Sequence, residues 1–157
     1  LDTKNFIMKT GVRTFEAAAF LRKMGADTVA VKSLFSNSIE TYQRKAQLVA
    51  SAEVYNRCAI ASTDNPSADI RVVAPQSADE LLNITNVDAS FVIYSTNNCI
   101  NISARSMGAM NVQLIMEKLG GGGHQTMAAT QLYDTSVADA KQSLIHAIDD
   151  YLETIQN

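Results

Sequence analysis

Two rhythms of apolar residues run along this chain, and they change over near Asn56. In the first third the spacing is helical. Phe15, Ala18, Ala19 and Met24 predict a helix capped by Thr14 and stopped by Gly25. Asp27 is placed to cap a second short helix over Thr28–Phe35. Ser36-Asn37-Ser38 opens a third, whose residues Ile39, Tyr42, Ala46 and Val49 recur at three and four and predict a buried stripe. Beyond Asn56, Cys58–Ser62 reads as a strand and Thr63–Ser67 as a turn. Ser77 is a candidate cap for a helix through Leu81 and Leu82; Pro75 blurs its start, and an earlier start would make Pro75 a kink. Ala89–Ser95 and Cys99–Ala104 predict a hairpin joined by Thr96-Asn97-Asn98. In its second strand Ile100, Ile102 and Ala104 alternate with Asn101, Ser103 and Arg105, the pattern of a half-buried strand with a polar face. Asn111–Leu119 predicts a helix ending at a glycine run, and Met127–Leu132 a further strand. Ser136 then caps the clearest helix, with Val137, Ala140, Leu144, Ile148, Tyr151 and Ile155 on one stripe. The pattern predicts an α+β (α/β) fold, a central mixed sheet covered by helices.

Charge and composition narrow the function. The 157 residues carry 13 Lys+Arg against 16 Asp+Glu, a net charge of −3. That argues against a broad footprint for long nucleic acid and leaves room for a local basic pocket. Trp is absent and aromatics are 6%, so a base-stacking platform would be sparse. Cys58 and Cys99 are far apart, each within an apolar run, and read as reduced core residues of a cytosolic protein. No apolar stretch approaches the roughly 18 residues of a membrane span. The chain opens at Leu1 with neither Met nor signal peptide and reads as cut from something longer.

Chemistry concentrates in two places. Gly120-Gly121-Gly122-Gly123-His124 places four of the chain's 7 glycines before one of its 2 histidines. Such a run either stops a helix and continues as a flexible loop, or brings backbone amides close around an anion, phosphate being the usual guest. His124 is then either structural or a phosphate donor. The second place is Ser103-Ala104-Arg105-Ser106. Arg105 offers a planar fork for two phosphate oxygens, and Ser103 and Ser106 offer hydroxyls; the alternative is an exposed arginine beside a helix start. His146 lies on the last helix as a solvated or structural residue. A lone Asp2 says nothing unaided, and no acid–histidine cluster has metal-ligand spacing.

Taken together, Ile102–Ser106, Asn111-Val112-Gln113 and Gly120–His124 followed by Ala128-Ala129 resemble the DHH-associated domain, the substrate-binding partner of the DHH phosphoesterases. Leu1–Phe6, Lys9-Thr10-Gly11 and Arg13-Thr14-Phe15 resemble the last metal-binding segment of the DHH domain and its following helix. The whole chain is most similar to the membrane-anchored, GGDEF-like-domain-containing cyclic-di-AMP phosphodiesterases of Gram-positive bacteria. The resemblance implies a remnant of the DHH domain over 1–35, a connecting helix over 36–56 and the DHH-associated domain over 57–157. It implies a manganese-dependent hydrolase opening cyclic-di-AMP to linear pApA, with a metal-bound hydroxide as nucleophile. Asp2 would be a manganese ligand, the other ligands lying upstream, so this stretch would bind without cleaving. Ser103, Arg105, Ser106, Gly121, Gly122, Gly123 and His124 would hold a cyclic or linear dinucleotide. The implied parent sits at the cytoplasmic face of the membrane, anchored by upstream segments, with no membrane contact by this stretch and a homodimer left open. The alternatives are a short-oligoribonucleotide nuclease or adenosine-bisphosphate phosphatase of the same family, or a non-catalytic nucleic-acid-binding module.

Overall fold

The structure, a computed structural model, describes Thr3 and residues 6–156. It divides into two units, Leu1–Ser38 and Ile39–Asn157.

In the first unit, α1 spans Val12–Lys23 and α2 spans Thr28–Ser33. Thr14 does not cap α1. The cap is Gly11, and Thr14 sits inside the first turn, where its hydroxyl accepts the Gly11 N–H at 3.3 Å. Gly25 stops α1 as expected, at φ +99°. Its N–H reaches Arg22 O and the next N–H, of Ala26, reaches Leu21 O, the double closure of a Schellman turn. Asp27 caps α2 by accepting the Val29 N–H at 2.8 Å. Neither helix buries a residue, and Phe20, Leu21 and Leu34 stand exposed.

The second unit runs α3 (Ile39–Ala50), β1 (Glu53–Tyr55), β2 (Cys58–Thr63), α4 (Ile70–Leu81), β3 (Ala89–Thr96), β4 (Cys99–Ser106), α5 (Val112–Lys118), β5 (Gly122–His124), β6 (Met127–Leu132) and α6 (Val137–Gln156). Its sheet has the order β1-β2-β3-β4-β6-β5. Only β2 and β3 are parallel, joined across α4; the other pairs are antiparallel. This is the mixed sheet that the sequence predicts.

Alternation along the strands feeds two cores. Phe91, Ile93, Ile100, Ile102 and Ala104 face α5 and α6, meeting Ile115, Met116, Leu144 and Ile148. Val92 and Tyr94 face the other way, onto Val73, Ala74 and Leu81 of α4 and Leu48 of α3. Phe91 is fully buried, and burying a side chain of that size contributes roughly 1.5–3 kcal/mol.

Three expectations need correction. The α3 stripe is turned: Ile39 and Tyr42 are exposed, and the helix meets its neighbours through Leu48, with Thr41 and Arg44 bonded to Asp69 and Lys45 to Glu80. Ser77 is not a cap. α4 starts two turns earlier, so Ser77 lies inside it and donates back to Val73 O at 2.9 Å. Pro75 sits within α4, where it cannot donate to the carbonyl of Arg71. The polar side of β4 is not solvated, because α4 covers it; Asn101 and Ser103 are buried.

Cys58 and Cys99 are both free. Burial pushes the Cys58 thiol up to about 12, with the carboxylates of Asp88 and Asp149 adding to the effect. An unfolded thiol titrates near 8.5. The contribution of this proton to stability is therefore fully present below that value and is lost as pH rises through about 12. A thiol-reactive disulfide reagent at pH 8 is expected to label Cys99 quickly and Cys58 only after unfolding; prompt labelling of both in the folded chain would contradict this burial.

Candidate functional site

The glycine run begins as a helix stop. Asn111 caps α5 by accepting the Gln113 N–H at 3.1 Å. At the other end Gly120, at φ +74°, sends its N–H to Glu117 O while Gly121 reaches Met116 O, a second Schellman turn. The next glycines are not a loop. Gly122–His124 is strand β5, paired with β6 at the edge of the sheet. A Cβ on Gly121 would lie 2.3 Å from Ala129 O, and one on Gly123, at φ +149°, would lie 2.5 Å from Met127 O. Packing therefore accounts for Gly121 and Gly123, and the positive φ for Gly120. Gly122 has neither constraint; a Cβ there would meet nothing within 4 Å.

Register then assembles the site. Arg105 pairs with Met127, which pairs with His124; Ser103 pairs with Ala129, which pairs with Gly122. Directly paired residues share a sheet face. Arg105–Met127–His124 and Ser103–Ala129–Gly122 are thus adjacent cross-strand rows, about 7 Å apart along the strands. They lie on the α4 side of the sheet, where Arg105 meets α4. Met127, Ala129 and Gln131 on that side are exposed, while Ala128 and Thr130 behind them are buried. The result is an open ledge with a floor of small residues. The β5–β6 turn is pinned at both sides, with Ser106 N–H on Thr126 O and Val112 N–H on Gln125 O.

Arg105 is the cation of this ledge, its side chain only 12% exposed. Nε donates to Asp79 Oδ1 at 3.2 Å and Nη1 to Ala104 O at 2.9 Å. These bonds fix the guanidinium plane and leave Nη2 without a partner among the described residues. Ser103 is buried beside it, and His124 is exposed at the edge. Ser106 points to the opposite face. Its buried hydroxyl donates to Met110 O at 2.6 Å and accepts the Gly108 N–H at 2.8 Å, so it holds the loop before α5. Asp2 lies outside the described residues. Among those described, no group of three or more His, Cys, Asp or Glu is placed to hold a metal ion, and no helix is long and apolar enough to cross a membrane.

At the far end of the same face opens a cleft of about 540 Å³ whose lining includes Arg71, Tyr94, Asn101 and Gln131. The sequence shows Asn101 only as part of a polar strand face and gives no signal at the other three. Their proximity is a product of strand register and of the early start of α4.

The DHHA1 domain family model matches residues 68–154. The chain is 48% identical over 153 residues to the cyclic-di-AMP phosphodiesterase PdeA of Listeria monocytogenes, covering 96% of this chain and 23% of that protein. It is 48% identical over 155 residues to the cyclic-di-AMP phosphodiesterase GdpP of Geobacillus thermodenitrificans, covering 98% and 24%. The chain thus spans about a quarter of the length of these curated relatives. Among solved structures, an exopolyphosphatase-related protein from Bacteroides fragilis shares the fold at a TM-score of 0.80 and 19% identity, over 94% of this chain and 46% of that one.

Alanine substitutions along the run separate packing from access. Gly121→Ala and Gly123→Ala are expected to lose about 2–3 kcal/mol in denaturant unfolding, from overpacking against β6. Gly120→Ala should lose about 1 kcal/mol, through its left-handed backbone. Gly122→Ala should stay within about 0.5 kcal/mol of the parent chain. Equal losses at 121 and 122 would refute this division of roles.

Proposed function

The chain belongs to the DHHA1 domain family, and on that premise we propose that it is the substrate-binding C-terminal part of a manganese-dependent phosphodiesterase that opens cyclic-di-AMP to linear pApA. The observation that carries this reading is the pair of rows Arg105–Met127–His124 and Ser103–Ala129–Gly122 on one open sheet face. The names of its 48%-identical relatives supply the nucleotide.

In this reading the chain's own work is binding. Arg105 presents Nη2 to a phosphate oxygen from a plane already fixed by Asp79 and Ala104 O. A fixed guanidinium loses little entropy on binding, and its charge strengthens each hydrogen bond it makes to an anion. His124 adds a donor from the neighbouring strand. Gly122, with open space above it, lets the substrate approach the backbone. Ser103 lies in the same row, whereas Ser106 acts on the protein side by holding the loop that precedes α5.

The described residues supply no ligand set for manganese. In our proposal Asp2 is one ligand and the others come from outside these 157 residues, so the chain binds without cleaving. The same reading assigns 1–35 to the end of the DHH domain, 36–56 to a connecting helix and 57–157 to the binding domain. Segments elsewhere in the parent anchor it at the cytoplasmic face of the membrane. The net charge of −3 favours a short nucleotide over a long nucleic acid.

The test is a titration of the 157-residue chain with linear pApA, followed by amide resonances. Shifts are expected at Arg105 and at Gly121–His124. Arg105→Lys, which keeps the charge and loses the planar fork, should weaken binding about tenfold, the scale of one charged hydrogen bond. Silence at both elements with millimolar ligand would overturn the proposal. Manganese-dependent turnover of cyclic-di-AMP by this chain would overturn the division between binding and chemistry.

A further inference from the structure

The cleft at the other end of the ledge is lined by three residues whose polar groups have no partner among the described residues. Among the described residues the Arg71 guanidinium, the Tyr94 hydroxyl and Gln131 Oε1 make no hydrogen bond or ion pair, and all three residues line it. Their neighbour Asn101 is fully engaged. Asn101 Nδ2 donates to Thr96 Oγ1 at 3.1 Å and to Cys99 O at 3.4 Å. That fixes its carbonyl toward Gln131, whose Nε2 donates to Asn101 Oδ1 at 3.1 Å. The chain of donors determines which way the Gln131 amide points. Oε1 and one remaining N–H of Gln131 are left as a neighbouring acceptor and donor.

A fixed carboxamide with one free acceptor and one free donor matches the edge of adenine, which offers an amino donor beside a ring-nitrogen acceptor. Tyr133, 64% exposed, and Arg71 add a ring and a guanidinium plane, the two kinds of surface on which nucleobases stack. Position agrees with chemistry. Asn101 pairs with Gln131 one row beyond Ser103–Ala129 and two rows beyond Arg105–Met127. The cleft therefore continues the same face from which Arg105 would hold a phosphate.

We propose that this cleft is an adenine subsite in which Gln131, oriented by Asn101, reads the base edge while Tyr133 and Arg71 flank the ring. The inference rests on the phosphate-binding reading of the Arg105 row and adds a base to it.

The test compares AMP, GMP and ribose 5-phosphate as ligands of the 157-residue chain, with adenosine as the phosphate-free control, by calorimetry and by amide and side-chain NMR. AMP is expected to bind about tenfold more tightly than either of the others and to shift the Gln131 side-chain amide. Gln131→Leu should remove that advantage and leave ribose 5-phosphate unchanged. Tyr133→Ala, at an exposed ring, gives an independent loss for AMP alone. Equal binding of AMP and ribose 5-phosphate, or an AMP advantage that survives Gln131→Leu, overturns the subsite. So does AMP leaving Gln131 unmoved, whatever Arg105 does. If ribose 5-phosphate shifts Arg105 in that case, the phosphate reading stands without the base. If adenosine shifts Gln131 while ribose 5-phosphate leaves Arg105 silent, the subsite stands and the phosphate reading fails.

Discussion

The close approach of β5 to β6 is the constraint on which the site depends. A side chain at Gly121 or Gly123 would overlap the backbone of β6, so only glycine lets this edge strand pair there. The pairing fixes which residue of β5 faces Met127, and that residue is His124. One slip of register would turn His124 to the opposite face of the sheet, away from Arg105. The Schellman turn at Gly120 sets where β5 can begin, because it ends α5 one residue before the close contact. Helix stop, close packing and functional placement are thus successive duties within five consecutive residues. Gly120 carries the left-handed stop and Gly121 and Gly123 the close approach, while Gly122 has open space above it.

Arg105 shows the second physical balance at the site. A guanidinium with so little exposure needs a partner, and Asp79 of α4 supplies it. The carboxylate lowers the net attraction of the ledge for an anion, yet it also fixes the guanidinium plane before any ligand arrives. Preorganisation of that kind reduces the ordering cost of binding. It also ties β4 to the helix that covers its neighbours.

Much of this fold is written in local periodicity. α6 follows its apolar stripe through Tyr151, the β3–β4 hairpin follows its alternation, and α5 follows its Asn cap and glycine stop. Long-range contact overrides local pattern elsewhere. β1 is three residues long with Val54 exposed, too little signal to read. β5 is invisible because glycine has no strand propensity; only pairing with β6 makes it a strand. α3 buries Leu48 instead of the more regular stripe because its anchors, Asp69 and Glu80, are set by α4. The sequence marks Arg105 and the glycine–histidine run as anion-friendly, and register alone brings them together. Asn101 and Gln131 lie 30 residues apart, and no spacing rule joins them.

The uneven covering of the sheet explains why an open ledge exists at all. α5 and α6 cover one face out to β6, whereas α3 and α4 on the other reach only to β4, leaving Met127, Ala129 and Gln131 open. A half-covered face gives a ligand a rigid floor made by strands, with walls from a helix and an edge strand. It also leaves the ligand wet. In water the Coulomb attraction between unit charges 4 Å apart is only about 1 kcal/mol, so an open ledge holds an anion chiefly through directed hydrogen bonds. Fixed donors on Arg105 and an oriented amide on Gln131 suit that regime. Stabilising the charge that develops during phosphodiester cleavage needs a drier enclosure than these residues build.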